Sequence, residues 1–325
     1  LINKKLRYNI NMNPWAIAIL VIIGVLIIYL ILLFITFLIF FGRTKGTPVE
    51  NNKLLGDNWG DNFSNLKKER EKAFVKTKKY EDIYIKSDDN LKLHAYLFEN
   101  KLSDTVIIFI HGYKSQATFE GTVGLMLYRE RATLLLVDQR ACGKSEGKYI
   151  TFGAKEKYDI LLWINFINER YYGKKTIYIH GASMGAATTL MVSSLTNLPA
   201  NVKGFIADSP YTSAAEVGLH TLKVMTGVNF RLSLRFIDMY CRLFAGFSLY
   251  KTNTLNEIKN NTKIPIFIIH GKADNFVPFE MGEKNYAEII APKRFIGVDG
   301  ANHCQAYFLY PEKSKEVLTE FIWGK

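Results

Sequence analysis

Gly181-Ala182-Ser183-Met184-Gly185 is the stretch on which the reading of this chain turns. Before it runs Thr176-Ile177-Tyr178-Ile179-His180, a short β-rich apolar run with the composition of a buried strand. After it runs Ala186-Ala187-Thr188-Thr189-Leu190-Met191-Val192, a good helix start. A sharp strand-to-helix turn forces the serine into a strained conformation with its Oγ clear of the backbone. Glycines at 181 and 185 leave room where strand and helix cross. The bare pattern G-x-S-x-G occurs by chance in many proteins. Flanked by a strand and a helix, it points to a nucleophilic serine.

The rest of the chain supplies what such a serine needs. Ile264-Pro265-Ile266-Phe267-Ile268-Ile269-His270-Gly271 reads as another buried strand and leads into Lys272-Ala273-Asp274-Asn275-Phe276-Val277-Pro278. Asp274 thus falls in a loop at the carboxyl end of a strand. Arg294-Phe295-Ile296-Gly297-Val298 reads as a last strand, followed by Asp299-Gly300-Ala301-Asn302-His303. The order Ser183, Asp274, His303 is the one this turn requires. A serine hydroxyl is a poor nucleophile until an imidazole accepts its proton, and a carboxylate fixes the tautomer and steadies the imidazolium. Asp208 competes for the acid role, but Ser209-Pro210 after it suits a turn, and Asp274 is preferred. Of the six histidines, His94 lies within a strand, His180 and His270 end strands, His220 sits in a helical segment and His111 braces a turn. That leaves His303 as the base. Negative charge on a reacting carbonyl oxygen needs pre-aimed N–H donors. The backbone amide of Met184 is one. The other is that of Tyr113, in the turn His111-Gly112-Tyr113 that ends the strand Thr105–Ile110.

Tyr80 to Lys86 and Leu91 to Phe98 flank the turn cluster Ser87-Asp88-Asp89-Asn90 and read as an opening antiparallel hairpin. Strands then alternate with helices, the signature of an α/β fold with a mostly parallel sheet covered on both faces. Residues 211–261 interrupt this rhythm with aromatic-rich helical segments. They are expected to form a cap whose Phe230, Phe236 and Phe244 line a substrate pocket.

These segments, together with Asp138-Gln139-Arg140-Ala141-Cys142-Gly143-Lys144-Ser145-Glu146-Gly147, resemble the α/β-hydrolase superfamily. Within it the chain is similar to bacterial membrane-anchored hydrolases grouped with serine aminopeptidase-like and prolyl-oligopeptidase-like enzymes. The resemblance covers roughly residues 78 to 325 and is specific for fold and triad rather than for a substrate. It departs at Cys142, where such relatives more often carry His or another polar residue, in a loop that is usually structural. It implies an eight-stranded, mostly parallel sheet with helices on both faces and a cap insertion. It also implies a serine hydrolase that works through an acyl-enzyme on Ser183. A cap rich in Phe, Leu and Met inclines the substrate towards carboxylic esters. A peptidase and a catalytically idle, membrane-tethered binding module are the alternatives.

The 325 residues divide into a flank (1–14), an apolar segment (15–41), a linker with a charged helix (42–77) and the hydrolase-like domain (78–325). From Trp15 to Phe41 there is no charged residue, and 27 residues make a helix roughly 40 Å long, enough to cross a bilayer. A buried core helix of that length would carry a polar stripe. A cleavable signal would be shorter and followed by a small-x-small site. The segment therefore reads as an uncleaved anchor in a cell membrane, with the catalytic domain on the extracytoplasmic side. The chain opens on Leu1, and Met12 stands as an alternative start. Of the formal charge of +12, five units fall in residues 1–46, leaving +7, a balance compatible with an anionic membrane surface. The lysines are scattered without interleaved aromatics, which argues against nucleic acid as a partner. Cys142, Cys241 and Cys304 form no spaced pair and read as inert thiols. No cofactor or metal is expected. The expected partners are a small ester or short peptide substrate, and the membrane through the apolar segment.

Overall fold

The computed structural model describes residues 13–43, 74, 79–227 and 230–324. The N-terminal flank up to residue 12, most of the 42–77 linker and the charged helix expected within it lie outside the described residues.

Strands β1 (Glu81–Lys86), β2 (Lys92–Phe98), β3 (Thr105–Ile110), β4 (Thr133–Asp138), β5 (Thr176–Ala182), β6 (Val202–Asp208), β7 (Ile266–Gly271) and β8 (Lys293–Val298) form one sheet in the order β1-β2-β4-β3-β5-β6-β7-β8. The hairpin β1–β2 and the β2–β4 pair are antiparallel, and every other pair is parallel. This is the α/β-hydrolase architecture that the sequence implied. The central strands read as continuous apolar runs because both faces are covered. In β3, Val106, Ile108 and Ile110 point to one face and Ile107 and Phe109 to the other. The first face packs against Trp163 and Ile164 of α3 (Glu156–Arg170) and Leu190 of α4 (Met184–Val192). The second packs against Tyr128 of α2 (Gly121–Tyr128) and Leu318 and Ile322 of the last helix, Pro311–Trp323.

Between β6 and β7 the chain leaves the sheet through α5 (Ala214–Thr226), α6 (Arg231–Tyr240) and a π-helical turn, Cys241–Ala245. Ser213 starts α5 by accepting from the Glu216 amide at 3.1 Å, and Gly227 ends it at φ 72°. Helix α6 has separate stripes. Leu234 and Ile237 are buried towards the domain, Phe236 and Tyr240 turn to the N-terminal helix, and Arg231, Leu232, Arg235 and Met239 are exposed.

Helix α1 (Pro14–Phe41) is capped by Asn13, which accepts from Trp15 N at 3.1 Å, and has proline at its first position. It is long and apolar enough to cross a membrane. From Trp15 to Ile28 its large side chains are exposed, whereas from Tyr29 onward it lies against the cap. Tyr29 Oη and Ser233 Oγ are 2.8 Å apart, Tyr240 Oη donates to the Leu30 carbonyl at 3.0 Å, and the Phe34 and Tyr240 rings meet edge-on at 5.3 Å. The chain leaving α1 is fixed too. Gly42 bridges to Tyr149, and Arg43 N donates to Lys148 O at 2.9 Å.

The crossing of β5 and α4 depends on two missing side chains. A Cβ on Gly181 would strike the Gly185 carbonyl. One on Gly185 would strike the Ile110 carbonyl and lie 2.7 Å from that of His111. Gly185→Ala should therefore force the helix off the strand at a cost of about 2–3 kcal/mol. A fall in Tm of roughly 5–10 °C, read by thermal unfolding of the purified chain, is expected.

Candidate active site

The carboxyl ends of β3, β5, β6, β7 and β8 share one edge of the sheet, where sites of such folds form. Ser183 sits at the tip of the β5–α4 turn with φ 55° and ψ −116°, a backbone state costly for a non-glycine residue, of order 1–3 kcal/mol. Its amide donates to the Asp208 carbonyl at 2.8 Å and its carbonyl accepts from Ala187 N at 3.0 Å, so the turn is held from both sides.

The structure brings the three residues expected from sequence into one hydrogen-bonded line. Ser183 Oγ is 2.8 Å from His303 Nε2, and His303 Nδ1 is 2.7 Å from Asp274 Oδ2. The other Asp274 oxygen accepts from Phe276 N at 2.9 Å and Val277 N at 2.8 Å, which orients the carboxylate. His303 N donates to Asn302 Oδ1 at 2.8 Å, the same oxygen that receives Asn275 N at 3.3 Å, tying the 302–303 loop to the 274–275 loop.

Electrostatics divides the two aspartates. Burial alone would raise the Asp274 carboxyl, but the charge of His303 and the hydrogen bonds from His270 and His303 hold it well below the usual range. Burial likewise pushes the His303 imidazole down, and Asp274, helped by Asp208 and Glu120, more than reverses it. Asp208 is buried, with Ser209 Oγ, at 3.1 Å, the one side-chain donor to its carboxyl among the described residues, and burial pushes it up to about 7. Its contribution at the turn is the main-chain carbonyl that anchors Ser183. The other histidines hold the frame. His180 lies between Tyr128 Oη at 2.7 Å and Tyr307 Oη at 3.0 Å, and burial pushes it down to about 3. His94 joins Asp138 and Asp82, each at 2.8 Å, and His111 accepts from Gln139 N at 3.0 Å.

The turn His111-Gly112-Tyr113 lies against the serine, since a Cβ on Gly112 would come within 3.1 Å of Ser183 Cβ. Glu120 Oε2 accepts from Gly112 N at 2.5 Å. Among the described residues the backbone N–H groups of Tyr113 and Met184 have no protein acceptor. The loop around Cys142 is scaffold. Asp138 accepts there from Ala117 N at 2.8 Å and Lys144 N at 3.0 Å, and Arg140 grips Asp159 through two 2.7 Å bonds.

Beside Ser183 opens a narrow apolar cavity. Tyr113, Phe152 and Tyr211 line it from the domain, Leu234 and Ile237 from α6, and Thr36, Phe40 and Phe41 from α1, and among the described residues no charged one lies in its lining. The pocket expected from Phe230, Phe236 and Phe244 requires correction, because none of the three lines it. Phe236 and Phe244 lie on the stripe facing α1, in contact with Tyr29 and Phe34 respectively, while Phe230 sits at the start of α6. The helical rotation between Phe236 and Ile237 turns the phenylalanine from the cavity. The α1 lining residues and Glu120 were not anticipated. No spacing rule links Thr36 to Ser183, and an isolated glutamate eight residues after Gly112 gives no signal.

Fold and site geometry together define an α/β hydrolase, and the chain belongs to that superfamily. Residues 102–241 match the family described as serine aminopeptidase, S33, a stretch that holds the 111–113 turn and Ser183 and ends before Asp274. The chain is similar to the Pyrococcus furiosus esterase Pf2001, at 29% identity and a TM-score of 0.61, covering 75% of this chain and 90% of that one. It is 25% identical to YqkD of Bacillus subtilis (strain 168) over 58% of this chain and 61% of the relative. It is 27% identical to the lysophosphatidylserine lipase ABHD12 of Danio rerio, over 57% of this chain and 47% of that protein.

Histidine-selective NMR of the full chain in detergent should show His303 titrating above the ordinary 6.5 and His180 neutral down to about pH 3. Asp274→Asn should lower the His303 midpoint. A midpoint unmoved by that change would mean that another carboxylate governs the base.

Proposed function

We propose that the chain is a serine hydrolase of carboxylic esters, with Ser183 as nucleophile, His303 as base, Asp274 as its orienting acid, and the Tyr113 and Met184 amides as oxyanion donors. The single observation that carries this reading is the Ser183–His303–Asp274 line of 2.8 and 2.7 Å contacts beside two backbone N–H groups that meet no acceptor among the described residues. Ser183 Oγ attacks the ester carbonyl carbon while its proton passes to His303 Nε2. The oxyanion is met by the two amides, and collapse breaks the C–O bond to the alcohol, which leaves with the proton from His303. Water then adds to the acyl-enzyme with His303 again as base, releasing the carboxylic acid and restoring Ser183. Ester plus water gives acid plus alcohol, and no cofactor takes part.

The uncharged cavity favours an apolar acyl group over a peptide amine, which would call for a carboxylate partner. The similarity to an esterase and to a lysophosphatidylserine lipase supports the same choice. Helix α1 holds the chain in a cell membrane, with the domain on the extracytoplasmic face. Protease added to intact cells should then digest the domain, and protection until lysis would reverse the orientation.

The sign of the pH dependence follows from the raised His303 value. Only the neutral imidazole can accept the serine proton, so kcat/KM should fall on acidification through a midpoint above 6.5. Ser183→Ala should abolish labelling by a fluorophosphonate and lower kcat on p-nitrophenyl butyrate by roughly 10⁴ to 10⁶. His303→Ala should be nearly as damaging and Asp274→Asn somewhat less so. Asp208→Asn should cost far less than Asp274→Asn, and the reverse ranking would overturn the choice of acid.

A further inference from the structure

We propose that α1 is a working part of the active site and that the substrate is an amphiphilic acyl ester resident in the membrane. Its chain enters the cavity between α1 and α6. This rests on the serine-hydrolase reading above and names its substrate class.

The first support is the end of the helix. The last four carbonyls of any helix lack intrahelical partners. Those of α1 are all met, and three of them by the catalytic domain. Leu38 O accepts from Gly42 N at 2.9 Å, Ile39 O from Lys114 Nζ, Phe40 O from Tyr113 Oη, and Phe41 O from Ile150 N at 2.8 Å. Tyr113 and Lys114 belong to the turn assigned an oxyanion donor. The helix therefore braces that turn through its side chains while its own Thr36, Phe40 and Phe41 wall the cavity over Ser183.

The second support is depth. Among the described residues, helix α1 stands free of the domain only from Trp15 to Ile28, 14 residues or about 21 Å at 1.5 Å per residue. A hydrocarbon core of about 30 Å needs about 20 residues. The missing turns are those from Tyr29 to Phe34, which already touch Ser233, Phe236, Tyr240 and Phe244. If α1 spans, α6 and the turn after it must sink to the boundary between acyl chains and headgroups. Their exposed face fits that place. Leu232 and Leu243 are 65% and 68% exposed, and Arg231 and Arg235 stand exposed beside Leu232, basic side chains able to reach headgroup phosphates. The cavity then sits at the height where an acyl chain in the leaflet can slide in without crossing water.

The test uses the full chain in phosphatidylcholine vesicles, with p-nitrophenyl butyrate and p-nitrophenyl palmitate as paired substrates. Thr36→Trp, which fills the cavity from the α1 side, should lower the palmitate-to-butyrate ratio of kcat/KM at least tenfold. Phe40→Ala, which widens it, should raise the ratio. Ile23→Trp, on the free part of α1, should leave it alone. Palmitate ester placed in the enzyme's own vesicles should turn over at least tenfold faster than the same ester in separate vesicles. Fluorophosphonate labelling separates the failures. If wild type is not labelled and cleaves neither ester, the hydrolase reading falls. If wild type is labelled and active, ratios within twofold of wild type in both α1 variants, or equal rates from the two vesicle populations, overturn the proposal. Should Thr36→Trp lose labelling through misfolding, Phe40→Ala and the vesicle comparison decide.

Discussion

The site depends on one strained residue and the close approach that permits it. Ser183 can hold φ 55° because its amide is bonded to the Asp208 carbonyl and because α4 packs almost on the backbone of β3 and β5. Glycines at 181 and 185 make that approach possible, and the buried strands beneath give the turn a rigid base. Relaxing the turn would bury Ser183 Oγ and part it from His303. Fold stability and site geometry are therefore coupled at this point.

Around the turn, burial separates groups that are alike in water. Asp208 and Asp274 both lie near His303, yet only Asp274 has converging donors, from the Phe276 and Val277 amides and from two histidines. It stays ionised, whereas Asp208, with the Ser209 hydroxyl as its one side-chain donor among the described residues, is pushed up to about 7. A low-dielectric site tolerates one well-paired carboxylate more readily than two. His180 is kept neutral by the same burial, and its two tyrosine partners satisfy both ring nitrogens without a charge.

Helix α1 is joined to the domain more intimately than a tether needs to be. Its final carbonyls receive donors from the 113–114 turn and from the 149–150 segment, and Arg43 beyond it binds the Gly143 and Ser145 carbonyls of the Cys142 loop. Backbone polar groups at a helix end must find partners. Here those partners come from the catalytic domain, so the orientation of the domain relative to the helix is fixed. Three residues near the end of this helix, Thr36, Phe40 and Phe41, help wall the apolar cavity beside Ser183.

By itself the sequence determined the class of fold and pointed to Ser183, Asp274 and His303 as residues that meet at one edge of the sheet. Apolar runs such as Thr105–Ile110 and Ile264–Gly271, the glycines about Ser183 and the late loop carrying His303 are local patterns, and local patterns follow from backbone sterics and burial period. The preference for Asp274 over Asp208 was legible in the sequence, but not the contact of Asp274 with His303, 29 residues on, which only the folding of two loops together supplies. The pocket walls were not legible. A helix as aromatic as α6 offers several faces, and a one-residue rotation decides that Ile237 rather than Phe236 meets the cavity. The place of Thr36 and Phe40 beside Ser183 lay wholly in the tertiary structure, because nothing in a run of uniform hydropathy marks which side will be covered by protein and which by lipid.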